Sequence, residues 1–478
     1  MSDGIHLNNN ILKVQPTETP EEIPTETPTE TPTETQEETP EDTPEEIPTE
    51  TPTEIPTETQ EETPEETLTE TPEDTLTETQ EDLVDELSVN KSKNKCIKNG
   101  RYELINQIGA GAFSKVYKAI DHKTNKNVAV KIQHSGKYYN ECAKDEINIL
   151  KKLTKACRRK KTVNPPVINL LGSFRYKKHY VMVFPLYGDD LHSLKKRLFF
   201  ENKRLPMTVI KHIFRQILRG CMFTHSIGLV HTDIKCENVL LQKPVDEIDL
   251  DKFPIEDFKV ILTDYGTACE EDDHHTEYIQ TLEMRSPEAL FNGDWDYKVD
   301  IWSLGCLLFE LLTYNTLFSL SSNPFPHYQI HDELSSEEEA YNPDSTSELP
   351  NKKRRKKDYS EESDEDSDED SDDEDDFDLY LLLFKIQSLL GKPPLKPFES
   401  SLDFSTYYWC NVKEEVGYLK YYNNDTINHR PMRQILQKDY GYGKKIIKQV
   451  EPFMLKMLNW DPKKRSTAYE LLQDPFMQ

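Results

Sequence analysis

The sequence lacks the features that mark secreted and membrane-inserted proteins. No CxxC pair occurs in its 478 residues, and the eight cysteines are scattered without the spacing of a zinc site. No apolar run approaches the roughly 18 residues that a membrane-spanning helix needs. The first ten residues, MSDGIHLNNN, do not show the basic-then-apolar pattern of a secretory signal. We therefore expect a soluble protein of the nucleus or cytoplasm, without a membrane partner.

The first 90 residues contain no aromatic residue and almost no positive charge. They carry 28 acidic residues against one lysine, and residues 17–82 are a degenerate repeat of Thr, Glu and Pro. So few apolar groups cannot offset the entropy of ordering the chain, and proline recurs where a helix needs a free N–H. We predict a disordered acidic tail over residues 1–96. It is either a solubilising extension or an anionic arm that folds back on the basic remainder.

A second acidic stretch, residues 319–378, interrupts the later half of the chain. It holds a basic hexamer at 352–357 and an acidic run at 361–378, in which serines recur at positions 363, 367 and 371. Lengthening a surface loop to this size costs only ~1.6 kcal/mol of closure entropy, so a fold can tolerate it. We predict a disordered insert. Its hexamer is either a nuclear-localisation signal or an internal partner of the acidic run.

The rest of the chain, about 320 residues, is long enough for a substantial core and has a net charge of +13. Residues 102–133 alternate apolar and polar positions and predict three antiparallel strands. Helical spacing follows at 139–153, and two more strands are predicted within 167–184. From Leu191 onward helical patterns dominate. The pattern predicts an α+β fold, in which a small antiparallel sheet with one main helix precedes a larger, mostly helical part.

A glycine-rich turn between the first two of these strands is a candidate phosphate-binding site. The turn and its flanks comprise Ile108, Gly109, Ala110, Gly111, Ala112, Phe113, Ser114, Lys115 and Val116. Gly109 and Gly111 would let the backbone approach phosphate oxygens closely, with N–H groups pointing at them. Lys131 ends the apolar run 128–130 on the predicted third strand, and a lysine ammonium can pair with phosphate oxygens.

Lys131 needs a carboxylate to hold it in place, and the predicted helix after it offers three. Glu146 lies in the middle of that helix and is the predicted partner. Glu141 and Asp145 are the alternatives. Because successive residues of a helix are about 100° apart, Asp145 would point away from the position that Glu146 occupies.

A second candidate site is the run His-Thr-Asp-Ile-Lys-Cys-Glu-Asn at 231–238. Here Asp233 can orient and deprotonate a hydroxyl group, and Lys235 can neutralise charge on a phosphate. Asn238 offers an amide oxygen to a hard divalent cation. Asp264 follows the apolar strand at 260–262 and supplies a carboxylate as the second ligand. The two oxygen donors predict a Mg²⁺ site.

In this order the motifs resemble those of eukaryotic protein kinases, over residues 102–478 apart from the insert. The resemblance implies the bilobal kinase fold, with a sheet lobe over 102–184 and a helical lobe from about 188, and the use of ATP and Mg²⁺. It also places an adenine pocket at Ala129, Phe184 and the hinge residues Pro185 and Tyr187. In domain terms, the kinase would occupy residues 97–318 and 379–478.

Three further positions match kinase motifs that brace the helical lobe. Ser286-Pro287-Glu288 resembles the end of an activation segment, and the resemblance pairs Glu288 with Arg465. Asp300 would tie the backbone of the 231–238 run to a central helix. We expect these residues to be structural rather than catalytic.

Among kinases the chain is most similar to SR-protein kinases of the CMGC group, with the CLK (LAMMER) kinases next. The run at 231–235 has Thr232 where most kinases have arginine. The stretch 276–281 followed by Arg285 and Ser286 looks like the SR-protein-kinase activation segment, and 389–393 matches the helix end after that group's insert. The LAMMER signature of CLK enzymes is absent from the sequence.

This resemblance implies a protein serine/threonine kinase. Arg/Ser-rich splicing factors are one candidate class of substrate, and we expect a monomer that does not bind nucleic acid directly. Because Thr232 has no charge with which to read a phosphate, we expect activity without activation-loop phosphorylation. A CLK-like dual-specificity kinase is the alternative within the family. A pseudokinase scaffold would require loss of Lys131, Asp233, Asn238 or Asp264, and all four are present.

Two departures from SR-protein kinases concern the substrate. Those kinases carry their large insert between the lobes, whereas here it lies late in the helical lobe. They also dock Arg/Ser segments in an acidic groove, whereas this core is basic apart from a local acidic patch at 270–273. A third difference is Ser114, which stands where kinases commonly have another glycine.

Overall fold

The computed structural model describes residues 95–159, 165–249, 254–271, 279–320, 369–420, 424 and 427–478. Residues 1–94 with the Thr/Glu/Pro repeat, the basic hexamer and the first eight residues of the acidic run, 361–368, lie outside these ranges. No helix in the described part of the chain is both long and apolar enough to cross a bilayer.

A six-stranded antiparallel sheet forms the first lobe, with strand order β1-β2-β3-β4-β6-β5. Its strands are β1 (Lys95–Ile97), β2 (Tyr102–Ala110), β3 (Ser114–Asp121), β4 (Lys126–Gln133), β5 (Gly172–Tyr176) and β6 (His179–Pro185). One face buries alternate side chains in a core of its own, among them Leu104, Val130 and Val183. This two-residue alternation is the pattern that predicted the first strands.

One helix, α1 (Lys137–Arg159), packs against this sheet through an apolar face that includes Ala143, Ile147 and Leu150. Between α1 and β5 the sequence predicts a strand from residue 167, but β5 begins only at Gly172. The reason is that residues 167–170 find other partners. The Ile168 N–H donates to the carbonyl of Leu262, and the Leu170 N–H donates to the Thr154 hydroxyl. These bonds attach the segment to the helical lobe and to α1.

The second lobe is mostly helical. Its helices are α2 (Leu191–Phe200), α3 (Met207–His225), α4 (Pro287–Leu290), α5 (Lys298–Thr313), α6 (Glu369–Leu390), α7 (Phe404–Tyr407), α8 (Met432–Lys438), α9 (Lys444–Leu455) and α10 (Ala468–Gln473). Short strands pair as β7 (Leu229–Val230) with β10 (Cys269–Glu270), β8 (Val239–Leu241) with β9 (Val260–Leu262), and β11 (Tyr408–Asn411) with β12 (Val416–Leu419). Every residue of α5 is buried, so this helix is the centre about which the lobe packs.

The predicted α+β, two-lobed architecture is confirmed. Two boundaries differ from the predicted domains. Strand β1 pairs Lys95 with Leu104 and so begins one residue before the predicted end of the tail. Helix α6 begins at Glu369, nine residues before the predicted end of the insert. A helix propagates cooperatively from a packed segment, and the buried residues Leu382, Leu383 and Ile386 supply that packing.

A buried ion pair braces the helical lobe. The two terminal nitrogens of Arg465 donate to the two carboxylate oxygens of Glu288 at 2.6 and 2.7 Å, and Arg465 also donates to the Asn459 carbonyl. Both side chains are almost wholly excluded from solvent. Removing one partner of such a pair leaves the other charge buried and uncompensated.

We predict that Arg465→Ala lowers the free energy of unfolding by about 3–5 kcal/mol, because Glu288 would remain buried without its partner. Chemical denaturation followed by fluorescence measures this value. The neighbouring Lys464 is exposed and makes only a 3.8 Å contact with Asp461, so Lys464→Ala is the matched control and should change stability by less than about 0.5 kcal/mol. Equal effects of the two substitutions would refute the bracing role.

Candidate active site

A lysine–glutamate pair joins the sheet to helix α1. Lys131 on β4 donates to the Glu146 carboxylate at 2.6 Å, and Glu146 is buried. Burial raises the pKa of Glu146 and the charge of Lys131 opposes that rise. Burial by itself would lower the pKa of Lys131, but the carboxylates of Glu146 and Asp264 outweigh it, and the pKa lies above its usual value. The lysine is therefore held as a cation.

The competing carboxylates do not share this position. Glu141 and Asp145 are both exposed, and Asp145 adjoins Glu146 on the helix but faces away from the apolar side. The structure thus brings Lys131 together with Glu146 rather than with either alternative.

Asp264 approaches the same lysine from the helical lobe. It follows β9, and its Oδ1 lies 3.5 Å from the Lys131 Nζ. The charge of Lys131 holds the pKa of Asp264 below its usual range. The backbone of Asp264 has φ of +60°, a left-handed conformation that is uncommon outside glycine. This conformation is the kind of local strain that clusters at functional sites.

Tyr265, the residue after Asp264, is fully buried. Its ring packs against His231 with centroids 4.7 Å apart, and its hydroxyl lies 3.0 Å from the Thr224 hydroxyl. Burial raises the pKa of this phenol well above its usual value, so it stays neutral. The tyrosine therefore fills an apolar position and also satisfies its polar end.

The loop at 231–238 is fixed by one buried carboxylate, Asp300 of α5. Its two oxygens accept from the backbone N–H groups of His231 and Thr232 at 2.9 and 2.8 Å, and one oxygen also contacts His225 at 2.8 Å. Burial is the largest single influence and raises the pKa of Asp300. The hydrogen bonds from His225 and from the His231 N–H, with the electrostatic attraction of both histidines, together outweigh it, and the pKa is lowered. Asp300 thus ties the loop to the central helix, as the kinase resemblance implies.

Four polar side chains meet at the end of this loop. Asn238 donates its Nδ2 to the carboxylate and to the backbone carbonyl of Asp233, both at 2.8 Å. Lys235 lies 2.9 Å from the Asp233 carboxylate and donates to the Thr281 hydroxyl at 2.8 Å. Thr281 in turn donates to the other Asp233 oxygen at 2.8 Å. Asp233 is therefore oriented from three sides.

A divalent cation fits this arrangement. Because Asn238 commits its Nδ2 to Asp233, its Oδ1 is the atom left for a ligand. The deprotonated carboxylate of Asp264 is the second oxygen donor. Amide and carboxylate oxygens are the donors that hard cations such as Mg²⁺ prefer, so the residues present suit the predicted ion.

A different trio, formed by Cys221, His225 and Asp300, also brings three potential metal ligands within 4.8 Å of one another. Burial raises the pKa of the Cys221 thiol well above its usual value, which disfavours the thiolate that a metal needs. The carboxylate is already engaged with loop N–H groups. We interpret this trio as part of the hydrogen-bonded support of the loop.

The glycine-rich turn connects β2 to β3. The Gly111 N–H donates to the Ser114 carbonyl at 2.9 Å, and a Cβ added at Gly111 would meet no atom within 4 Å. Val116 pairs with Lys131 across β3 and β4, so the turn and the lysine lie on adjoining strands. Phe113 at the tip is half exposed and contacts the rings of Tyr138 and Tyr139 on α1. The open space at Gly111 is compatible with a closely approaching ligand.

The predicted hinge leaves the sheet at the end of β6. Phe184 is buried and pairs with Ala129 across the strands, and Pro185 is the last strand residue. Tyr187 follows, and Gly188 then contacts the helical lobe. A Cβ at Gly188 would lie 2.1 Å from the backbone of Lys243, so only glycine fits there.

Thr281 was not predicted as a site residue, although it contacts both Asp233 and Lys235. The sequence places it in the stretch 276–281 but gives no sign of where its side chain points. His225 and Thr267, which contact Asp300 and Thr232 respectively, were not predicted either. Such partners are set by tertiary packing, and spacing along the chain carries no signal for them.

The fold and the site together define a nucleotide-dependent phosphotransferase of the protein kinase type. A sheet lobe carries a glycine-rich turn and a lysine–glutamate pair, and a helical lobe supplies Asp233, Lys235, Asn238 and Asp264. The family model described as the protein kinase domain matches residues 102–477. The chain belongs to this family, whose members use ATP and a divalent metal ion to phosphorylate proteins.

Curated relatives agree with the resemblance to SR-protein and CLK-like kinases. The probable serine/threonine-protein kinase clkA of Dictyostelium discoideum is 33% identical over 47% of this chain and 26% of its own length. Serine/threonine-protein kinase AFC3 of Arabidopsis thaliana is 32% identical over 47% of this chain and 57% of its own length. Serine/threonine-protein kinase SRPK of Physarum polycephalum is 27% identical over 80% of this chain and 87% of its own length. The chain thus spans only part of the first two relatives but most of the third.

We predict that Thr281→Ala lowers kcat by about 10- to 100-fold, because Asp233 and Lys235 lose a shared hydrogen-bond partner. Steady-state phosphorylation kinetics with a serine peptide measure this, and the KM for ATP should stay the same. Thr281→Ser keeps the hydroxyl and is the control, expected within about threefold of the native protein. An alanine variant as active as the native chain would contradict the role.

Proposed function

We propose that this protein is an active serine/threonine kinase, which transfers the γ-phosphoryl group of ATP to hydroxyl groups of protein substrates. The observation that carries the proposal is the convergence of Asp233, Lys235, Asn238 and Thr281, beside the Lys131, Glu146 and Asp264 cluster. Relatives named as serine/threonine-protein kinases support the same activity. The pseudokinase alternative would require the loss of a reactive side chain. All four such residues are present: Lys131, Asp233, Asn238 and Asp264.

In the proposed mechanism each residue has a charge suited to its task. Lys131, held as a cation, would bind the α- and β-phosphates, and the glycine-rich turn at 109–114 would cover them. Asp233 would orient the substrate hydroxyl and accept its proton. Lys235 would neutralise the charge that develops on the transferred phosphate. Asn238 and Asp264 would hold Mg²⁺, which when bound neutralises charge on the β- and γ-phosphates.

The proposed substrates are proteins rich in Arg and Ser. Support comes from the SRPK relative, which matches along 80% of this chain, and from the activation-segment stretch 276–281. A CLK-like dual-specificity kinase remains the second candidate, since a dual specificity protein kinase of Schizosaccharomyces pombe is 31% identical over 46% of this chain.

We expect the full-length protein, with ATP and Mg²⁺, to phosphorylate an Arg/Ser-repeat peptide in preference to an acidic serine peptide. Radiolabel transfer to the two peptides at equal concentration measures the preference, and a tyrosine-containing analogue tests dual specificity. Asp233→Asn removes the proton acceptor and should lower the rate by about 100-fold or more. Retained nucleotide binding in that variant shows that it has folded. Failure to label any peptide would overturn the kinase proposal, and equal labelling would overturn the substrate class.

We also propose that activity does not depend on activation-loop phosphorylation. Neutral hydrogen bonds support this. The Thr232 hydroxyl donates to the Thr267 carbonyl at 2.8 Å, and the Gln280 amide donates to the Ser303 hydroxyl and the Val299 carbonyl at 2.7 and 3.0 Å. The Ser286 N–H donates to the Gln280 Oε1. The end of the segment is therefore held without a phosphate.

We expect the full-length protein made in bacteria and treated with phosphatase to retain its activity toward a serine peptide, within about twofold of the untreated protein. The reason is that position 232 holds a threonine and not an arginine, so it has no charge with which to bind a phosphate. Mass spectrometry verifies that the segment at 272–286 carries no phosphate. Gln280→Ala, which removes the neutral support, should lower activity with or without phosphatase. An inert dephosphorylated protein would refute the proposal.

A further inference from the structure

A cationic groove lies at the end of helix α1 nearest to strand β5. It is an open cleft of about 660 Å³, lined by Lys151, Lys155, Arg158 and Arg159 on the helix and by Leu171 before the strand. All four cationic side chains are exposed. The four cations follow one another at helical spacing, so they project toward the same side of α1.

None of these four cations has an ion pair or hydrogen bond within the described part of the chain. The nearby Lys152 differs, since it pairs with Glu270 at 3.0 Å. Like charges three and four residues apart repel each other and weaken a helix. The helix dipole favours cations in the last turn and so accounts for Arg158 and Arg159. It does not account for Lys151 and Lys155, which lie earlier in the helix.

The groove also has an apolar element. Leu171 is 54% exposed at its edge, whereas Leu170 beside it is buried. Helix α1 turns Glu146 and its other buried residues toward the sheet and the helical lobe, so the groove uses a different face of the same helix. The site for phosphates and this groove are therefore separate surfaces on one element.

From these features we propose that the groove docks an acidic segment of a partner protein, a run of Asp and Glu that carries an apolar residue to pack on Leu171. Charge complementarity selects the class of partner, because four unpaired cations attract an anionic chain over roughly 10 Å at 0.1 M salt. The apolar edge and the lack of an aromatic ring among the lining residues favour a peptide over single-stranded nucleic acid, whose bases need rings on which to stack.

The proposal is tested by fluorescence anisotropy of the full-length protein with a labelled acidic 14-residue peptide that has one central leucine. We expect saturable binding that weakens as salt is raised from about 0.05 to about 0.3 M, because salt screens the attraction between surface charges over this range. Lys151→Gln, Lys155→Gln and Arg158→Gln combined should weaken it about tenfold. Leu171→Ser should weaken binding of this peptide but not of its leucine-free analogue.

The matched control is Lys444→Gln, Lys445→Gln and Lys448→Gln combined. It removes the same charge from exposed positions on α9 and should leave binding within about twofold of the native value. A control that weakens binding as much as the groove variant would overturn the proposal, because the attraction would then come from overall charge. Absence of saturable binding to the native protein would overturn it as well.

Two further experiments distinguish a partner protein from other molecules that could occupy the groove. Tighter binding of a single-stranded RNA of equal charge would replace the protein partner by nucleic acid. If replacing the six acidic residues within 361–368 by amides strengthens peptide binding tenfold or more, the groove is occupied by this chain's own insert, and a partner in trans is excluded. None of these binding measurements requires phosphoryl transfer, so their failure is distinct from failure of the proposed kinase activity.

Discussion

The ion pair between Lys131 and Glu146 is the contact on which the arrangement of the site depends. A buried carboxylate is costly unless it is paired, so Glu146 fixes the rotation and height of helix α1 against the sheet. The same lysine also meets Asp264 from the other lobe. One cation thus sets the relative positions of two consecutive elements, β4 and α1, and of a third residue 133 positions further along the chain.

The opposite wall of the site is organised by Asp300. This carboxylate has no access to solvent, and its oxygens are occupied by backbone N–H groups and by His225. A buried charge that is satisfied in this way allows little rearrangement, because any movement leaves donors and acceptors unpaired. The hydrogen bonds between Asp300 and the loop backbone determine where Asp233 lies. Its orientation is then set by Lys235, Asn238 and Thr281. The buried central helix therefore fixes the position of the reactive loop.

Much of this fold could be predicted from the sequence, for physical reasons that differ between elements. Parts of strands β2 to β4 alternate buried and more exposed residues because one face of the sheet is buried, and Glu146 could be separated from Asp145 by helical geometry. That no strand forms at 167–170 could not be predicted, since the backbone there is bonded to Leu262 and Thr154 rather than to the sheet. The role of Thr281 could not be predicted for a similar reason, because it depends on a contact with Asp233, 48 residues away in the chain.

Tyr265 has a consequence for the design of inhibitors. Compounds that displace Tyr265 from its buried position would have to pull its phenol away from the Thr224 hydroxyl, its polar partner in the described part of the chain. Giving up such a bond costs about 1 kcal/mol, or roughly fivefold in affinity. A phenylalanine in the same place would impose no such penalty. Selective chemistry against this protein is therefore better directed at the cleft as it stands than at the space behind that ring.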